Sequence, residues 1–327
     1  MPFETYAANQ TGLAEDVQDE IYIISPIDNP IASMSRSIRA TAKTHEWLTD
    51  SLSTPKQNAQ PEGAEAGADT STVKLTRDNY TQIMSEVAEI TGTLEDVDKY
   101  GRDSEMAYQL ELRYGDLAND EEVAIAGRFN TAFQAKAIGT IGAPTGGARL
   151  MASLGNQINA VDGGTNGTVE DATGLTTYAA VEEKLLNVHE KVYVAGGNPT
   201  YLVVPPQISR VISYFALSSG RTRDIRNERR LVNVIDLYVS NFGELDVVLD
   251  RNMVDVTTAT GATAQTNDMF VLDFNYLATP VLRSTRDWPI AKTGDTDKRQ
   301  ILRESTFAVL ADLANGLVEN VPTTGLS

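Results

Sequence analysis

A stretch of twenty residues, 53–72, contains no valine, isoleucine, leucine, methionine or aromatic residue. Its only aliphatic side chains are alanines, and it also carries two prolines and two glycines. Such a segment cannot bury itself in a hydrophobic core, and loops of this length are usually functional or disordered. Residues 43–52 and 73–93, on either side, are richer in Thr, Tyr, Ile and Val, as strands are. The sequence therefore predicts either a long β-hairpin with a soft tip or a disordered surface loop.

The second strong pattern is an apolar stripe at helical spacing between residues 103 and 128. Its members are Met106, Leu110, Tyr114, Leu117 and Ile125. Asp103 or Ser104 suits the start of a helix as its cap, and Gly127 suits the end. We predict one long helix, roughly 39 Å at 1.5 Å per residue. A long helix that follows a polar excursion and precedes a globular region is typical of a structural building block rather than an enzyme.

Residues 1–43 are predicted to form an arm. A short amphipathic pattern within 14–24 is interrupted by Pro26 and Pro30. The arm contains too little apolar surface to fold alone. We therefore expect it to pack on the main body or on a neighbouring molecule.

The region after the long helix has the alternating helix and strand patterns of an α/β fold, and the chain then returns with a strand-rich segment. The predicted elements are a helix at 177–195, a strand at 201–204, a helix opened by Pro205 and Pro206, strands at 231–240, 244–250 and 269–274, a polar loop at 285–300, a strand near 301–310 and a free tail at 322–327. No internal repeat is visible in this region.

The charge of the chain is strongly acidic, with a formal net charge of -18. This acidity argues against broad binding of nucleic acid or of anionic membranes, which requires positive surface. Residues 221–230 are an exception to this acidic character. These ten residues contain five arginines: Arg221, Arg223, Arg226, Arg229 and Arg230. Such a run is either a solvated face or a docking surface, because guanidinium groups recognise carboxylates well. We predict that these arginines contact a neighbouring copy of the chain.

The residues that catalysis and metal binding require are scarce. Cysteine is absent, and the two histidines, His45 and His189, lie far apart in the sequence. The chain has no Gly-x-Ser-x-Gly motif, which an α/β-hydrolase would use to present its nucleophile. We expect no catalytic residues, no cofactor and no metal. A carboxylate-pair enzyme stays open as an alternative, because 45 Asp and Glu residues make accidental pairs certain.

Several longer motifs carry a resemblance to a known family. They are NYTQI at 79–83, EITGT at 89–93, GRDSEMAYQ at 101–109, GGNP at 196–199, FG at 242–243 before VVL at 247–249, and DWPIAKTGDTDKRQ at 287–300, which is the most specific. With these motifs, the chain resembles the major capsid proteins of tailed bacteriophages that have the HK-97-like fold. The likeness spans most of the chain from about residue 79 onward.

The resemblance implies an α+β chain with a definite domain plan. An N-terminal arm would occupy residues 1–43, and an extended β-hairpin loop 44–80. A peripheral domain with the long spine helix would comprise 81–134 and 268–327. An axial α/β domain would comprise 135–267 and point toward the centre of a capsomer.

The resemblance also implies function and partners. Copies would form hexamers and pentamers of an icosahedral head around double-stranded DNA, which they would not bind specifically. A separate scaffolding protein and a portal protein would be further partners, with a decoration protein as an optional one and no membrane. The location would be the virion, and the host cytoplasm during assembly.

One covalent feature of some relatives is not expected in this chain, and two alternative functions stay open. Some relatives join neighbours covalently through lysine and asparagine; Lys56 and Lys74 lie in or beside the loop, but we expect no crosslink. An encapsulin-like, non-viral shell protein is the first alternative function, and an α/β hydrolase is the second.

Overall fold

The structure is a computed structural model, and it describes residues 28–50, 52, 55–65, 67, 74–99, 101–139, 147–159, 168–218, 237–257, 261–292 and 294–326. The helices of these residues are α1 (Pro30–Met34), α2 (Gly92–Asp96), α3 (Glu105–Ala126), α4 (Leu154–Asn159), α5 (Tyr178–Val194) and α6 (Pro206–Ser218). The strands are β1 (Arg36–Arg39), β2 (Thr44–Thr49), β3 (Leu75–Tyr80), β4 (Gln82–Thr91), β5 (Arg128–Phe129), β6 (Ala132–Phe133), β7 (Ala137–Ile138), β8 (Arg149–Leu150), β9 (Val169–Asp171), β10 (Tyr201–Val204), β11 (Leu237–Val239), β12 (Glu244–Leu249), β13 (Val254–Thr257), β14 (Gly261–Gln265), β15 (Met269–Leu272), β16 (Leu277–Ile290), β17 (Thr296–Ser305), β18 (Ala308–Val309) and β19 (Gly316–Glu319).

A six-stranded sheet forms the centre of the larger core, with the strand order β11-β12-β10-β15-β19-β9. Helices α5 and α6 cover one face, where Leu185 and Phe215 pack on the buried Leu202. The other face packs against α4 and the end of α3, around Phe270. Both faces of this sheet are therefore buried over most of its width, which explains its continuous apolar strands.

A second sheet has the order β1-β16-β17-β4, with β18 also paired to β16. Helix α3 lies on its inner face, where Met84, Leu117 and Ile301 form a small apolar cluster. The other face of β4 exposes Ile83 and Val87. This sheet is thus half-covered within one subunit.

The predicted polar loop at 285–300 is wrong, because these residues belong to a long antiparallel hairpin. Strand β16 runs to Ile290 and β17 begins at Thr296, so the two strands take up most of the predicted loop. The charged side chains tolerate strand conformation because they pair across neighbouring strands. Lys298 Nζ lies 2.9 Å from a carboxylate oxygen of Glu89, for example.

The hairpin predicted around residues 53–72 is confirmed by the antiparallel pairing of β2 with β3, in register from Thr44 opposite Tyr80 to Thr49 opposite Leu75. Residues 51, 53, 54, 66 and 68–73 of its tip lie outside the described residues. The hairpin therefore emerges from the body as two paired strands.

The predicted long helix is confirmed as α3. The Ser104 hydroxyl accepts a hydrogen bond from the Ala107 N–H at 3.2 Å, and Gly127 follows the last helical residue. A carboxylate oxygen of Glu95 accepts the Glu105 N–H at 2.9 Å. The hydrogen bond from the Ser104 hydroxyl is the largest cause that holds the pKa of Glu95 below its ordinary value. The start of the helix therefore has two acceptors for its otherwise unpaired N–H groups.

The described part of the arm packs on the body. Pro30 begins the short helix α1, because a first-turn proline needs no N–H partner. Strand β1 pairs in parallel with β16. Residues 1–27, with the amphipathic pattern at 14–24, lie outside the described residues.

The predicted elements of the middle region are confirmed as α5, β10, α6 and β12, and β11 is the described part of the strand predicted at 231–240. Strands β15 and β19, which fall within the 268–327 part of the expected peripheral domain, hydrogen-bond into the six-stranded sheet with β10. The domain boundaries themselves stay a prediction.

Candidate assembly surfaces

The anchor of the arm is a buried carboxylate on the spine helix α3. Glu122 accepts the Ile31 N–H at 2.7 Å on one oxygen and the Ala32 N–H at 2.9 Å on the other. The side chain of Ile31 is fully buried beside the C-terminal half of α3. Glu122 thus supplies the acceptors that the first N–H groups of the short helix α1 lack.

A second buried acid, Asp250, lies near this anchor. Burial, together with repulsion from Asp250, raises the pKa of Glu122 to about 8. Burial is also the main cause that raises the pKa of Asp250 to about 7. Asn252 donates its backbone N–H to Asp250 at 2.7 Å and its side-chain amide to the Asp28 carbonyl at 2.7 Å. The arm, α3 and the chain after β12 therefore meet in one polar cluster.

The root of the β2–β3 hairpin is fixed by polar contacts on both sides. Arg77 pairs with Asp312 at 2.7 Å, and Lys136 pairs with Asp78 at 2.7 Å. A cavity of about 280 Å³ lies between these pairs and α4, with Trp47 in its wall. The hairpin therefore leaves the body in a defined direction.

The outer part of the same hairpin has exposed apolar side chains. Leu48 is 65% exposed and Leu75 is 58% exposed. Leu48 lies opposite Thr76 and Leu75 lies opposite Thr49, so the two leucines lie on opposite faces of the hairpin and each face exposes one of them. Ile83 and Val87, on the open face of β4, add a second exposed apolar surface to the subunit.

The five predicted contact residues, Arg221, Arg223, Arg226, Arg229 and Arg230, lie outside the described residues, so their contact with a neighbour stays a prediction. Sequence reasoning missed Glu122 and the hairpin-root pair of Arg77 with Asp312. The partners of Glu122 lie about ninety positions away in the chain. No local pattern marks such contacts.

The two histidines lie in separate parts of the structure, and each contacts a neighbouring side chain. His45 stacks on Trp47 in the hairpin, with ring centroids 5.9 Å apart. The Nδ1 atom of His189 lies 2.9 Å from the Ser240 hydroxyl. That hydroxyl also donates to the Gly243 carbonyl at 3.0 Å, which stabilises the turn between β11 and β12.

Two kinds of feature are absent from the described residues. No cluster of three or more His, Asp or Glu side chains is arranged to hold a metal ion. Within the same part of the chain, no helix combines the length and apolar character that a membrane span requires.

The comparisons with known proteins agree with this architecture. The family model described as SU10 major capsid protein matches residues 3–322. The curated major capsid protein of Escherichia phage Phieco32 is 22% identical over 330 residues, which cover 90% of this chain and 91% of the relative.

Two solved structures share the fold at low identity. The capsid of a native GTA particle has a TM-score of 0.61 at 12% identity, covering 95% of this chain and 96% of the other. The SrpI encapsulin of Synechococcus elongatus PCC 7942 has a TM-score of 0.57 at 11% identity, covering 100% of this chain and 99% of the other. The fold is thus shared by a GTA capsid and an encapsulin, whereas the family model and the curated relative are both of major capsid proteins. The chain belongs to the SU10 major capsid protein family and is a phage major capsid protein with the HK-97-like fold.

Proposed function

We propose that copies of this chain assemble into hexamers and pentamers, in which the β2–β3 hairpin and the arm of one subunit lie over its neighbours. The observation that carries the proposal is the hairpin itself. Its root is held by ion pairs to the body, whereas Leu48 and Leu75 beyond the root are mostly exposed. Burying these side chains against an adjacent subunit would turn an unfavourable exposed surface into a contact.

Further partners belong to the same proposal. A separate scaffolding protein guides assembly in the host cytoplasm, a portal protein occupies one vertex, and a decoration protein is an optional addition. Double-stranded DNA fills the shell without specific binding. The formal charge of -18 supports this last point, because an acidic inner surface does not hold packaged DNA.

The hairpin contact is tested with paired variants of its exposed leucines. Leu48→Asp with Leu75→Asp should abolish closed shells and leave the subunit folded, because both side chains are exposed in the subunit. Leu48→Met with Leu75→Met, which preserves apolar character, is the matched control. Circular dichroism reports the fold, and sedimentation with electron microscopy reports assembly. Normal shells from the aspartate variant would refute the hairpin contact.

Protease sensitivity gives a second test of the same contact. The segment 53–72 should be cleaved in free subunits and protected in shells, because it contains no core-forming residue. Cleavage within 53–72 is measured by mass spectrometry on both states at equal protein concentration. Equal rates of cleavage would show that the segment takes no part in contacts between subunits.

The encapsulin alternative rests on the shared fold with the SrpI encapsulin. An encapsulin-like shell would close without scaffolding protein and would contain a protein cargo. Native particles that contain double-stranded DNA would exclude this alternative, whereas particles filled with an enzyme would support it.

A further inference from the structure

The open edge of the six-stranded sheet combines apolar and acidic side chains on one face. In the register of β11 with β12, Leu237 lies opposite Asp246 and Val239 lies opposite Glu244. Cross-strand partners point to the same side of a sheet, so these four side chains share a face. Leu237 is 45% exposed and Val239 is 60% exposed, and both acids are exposed. We call Leu237, Val239, Glu244 and Asp246 the edge patch.

Aromatic rings extend the edge patch toward the middle of the sheet. Tyr201 of β10 lies opposite Asp246 in the parallel register. Its ring meets the Phe274 ring edge-on, with centroids 5.1 Å apart. The patch therefore places carboxylates beside aromatic surface, a combination that suits arginine, whose guanidinium binds carboxylates and stacks on rings.

The acids of the edge patch have no salt-bridge partner among the residues that the structure describes. Basic side chains elsewhere commonly pair within the subunit, as Arg128 does with Asp268 at 2.7 Å. None of the described strands pairs with the outer side of β11. A partner for this patch has to bring positive charge and approach from beyond the sheet.

The segment 221–230 has that chemistry. It contains five arginines against two acids in an otherwise acidic chain. In a ring of identical subunits, each contact joins two different surfaces, because the rotation brings one side of a subunit to the other side of the next. A contact of the edge patch with itself would place acid against acid, whereas a contact with the arginine segment joins opposite charges.

We infer that the edge patch of one subunit binds the arginine segment, residues 221–230, of the next subunit in the ring. This inference rests on the proposed assembly into rings and names the two surfaces that meet there. Raised ionic strength weakens the contact, because the charges lie at the surface and salt screens them.

Charge reversal on each side tests the contact. The arginine variant carries Arg226→Glu, Arg229→Glu and Arg230→Glu, and the acid variant carries Glu244→Arg and Asp246→Arg. Either variant alone should form roughly tenfold fewer capsomers or less, because like charges then meet at every contact of the ring. The control is Glu183→Arg with Glu190→Arg, two exposed acids on α5, which covers the opposite face of the sheet. The control should assemble like the parent chain.

Mixing the two variants distinguishes a contact between subunits from one within a subunit. An equimolar mixture should recover hexamers in which the variants alternate, because each arginine-variant subunit then meets only acid-variant neighbours. Native mass spectrometry should find equal numbers of the two variants in these hexamers. Pentamers should recover poorly, since an odd ring cannot alternate completely.

Each remaining outcome has a definite meaning. If one chain that carries both sets of changes assembles but the mixture does not, the arginine segment binds the edge patch of its own subunit and the inference is wrong. If both variants assemble like the parent, the contact does not exist. If folded parent chain fails to assemble even with its scaffolding protein, the proposed function itself fails. Circular dichroism and thermal unfolding confirm that each variant is folded.

Discussion

The two large sheets differ in how completely one subunit covers them. The six-stranded sheet has apolar layers on both faces, around Leu202 on one side and Phe270 on the other. The β1-β16-β17-β4 sheet has α3 on one face and leaves Ile83 and Val87 exposed on the other. The first sheet therefore contributes most to the stability of the free subunit. The second retains apolar surface that the described residues of the subunit leave exposed.

The largest expected difference between the two sheets is the loss of stability when one side chain of each is truncated to alanine. Phe270→Ala removes a fully buried ring that packs on Phe133 and should lower the free energy of unfolding by about 3–5 kcal/mol. Ile83→Ala acts on a half-exposed side chain and should change it by less than about 1 kcal/mol. Denaturant unfolding of free subunits measures both. Equal losses would show that the subunit itself covers the outer face of β4.

Replacing a glycine by alanine in a buried and in a partly exposed position tests the same difference in packing. A Cβ at Gly316 of β19 would lie 2.3 Å from Val188 Cγ1 of α5, so Gly316→Ala should destabilise the subunit by about 1–3 kcal/mol through overpacking. A Cβ at Gly92 would meet only the end of the Asp295 side chain, at 2.6 Å. That exposed side chain can turn away, and Gly92→Ala should cost less than about 0.5 kcal/mol. Thermal unfolding compares the two variants, and a larger loss for Gly92→Ala would contradict the comparison.

The arm anchor should give the stability of the subunit a pH dependence. The folded-state pKa of Glu122 is raised from 4.5 to about 8, so between these values the folded protein holds a proton that the unfolded chain has lost. The stabilising contribution of protonated Glu122 is complete below pH 4.5 and falls as the pH rises through this window. Each pKa unit of the shift corresponds to about 1.4 kcal/mol.

Glu122→Gln tests this pH dependence by removing the titrating group. The variant should reduce the loss of stability between the two pKa values without abolishing it, because the pKa of the neighbouring Asp250 is also raised, to about 7, and this group still titrates there. Urea unfolding across the window measures the change. Glu111→Gln, which changes an exposed acid on the same helix, is the control and should keep the parent slope. An unchanged slope for Glu122→Gln would mean that this group does not titrate there.

The smallest expected effect concerns the root of the hairpin. The pair of Arg77 with Asp312 is partly exposed, so its coupling energy in a double-mutant cycle of the two alanine variants should be about 0.5–1 kcal/mol. Loss of about 1 kcal/mol corresponds to roughly fivefold faster hydrogen exchange in β2 and β3. Exchange that is unchanged in the hairpin would show that the pair does not hold its root. Amides of the six-stranded sheet serve as the internal reference.

Local patterns predicted α3 well and its packing only in part. The helix begins after Ser104 and ends before Gly127, as the caps indicate. Leu117 and Ile125 of the stripe are buried, but Tyr114 is exposed and donates a hydrogen bond to Asp287 at 3.1 Å. Glu121 and Glu122 interrupt the stripe and are nevertheless buried, because their partners lie on distant strands and on the arm. Spacing alone cannot show that such partners exist.

The hairpin at 285–300 was missed for a related reason. Its composition is polar, which locally indicates a loop, and Pro289 weakens a strand prediction further. In the structure, β16 lies between β1 and β17, and Arg299 pairs with Asp287 across the hairpin. Ten residues of β17 pair with β4. This backbone pairing stabilises the strand, although the polar side chains do not indicate a strand in the sequence.

By itself, the sequence determined most local elements outside the hairpin at 285–300, the family motifs and the inability of residues 53–72 to form a core, because helical spacing, caps and composition act over a few neighbouring residues. Only the tertiary structure decided which surfaces remain open. Whether Val87 or Leu237 is covered depends on elements that lie far along the chain or on another copy of it. A side chain is buried only when a second surface packs against it, and that second surface usually comes from a distant part of the sequence.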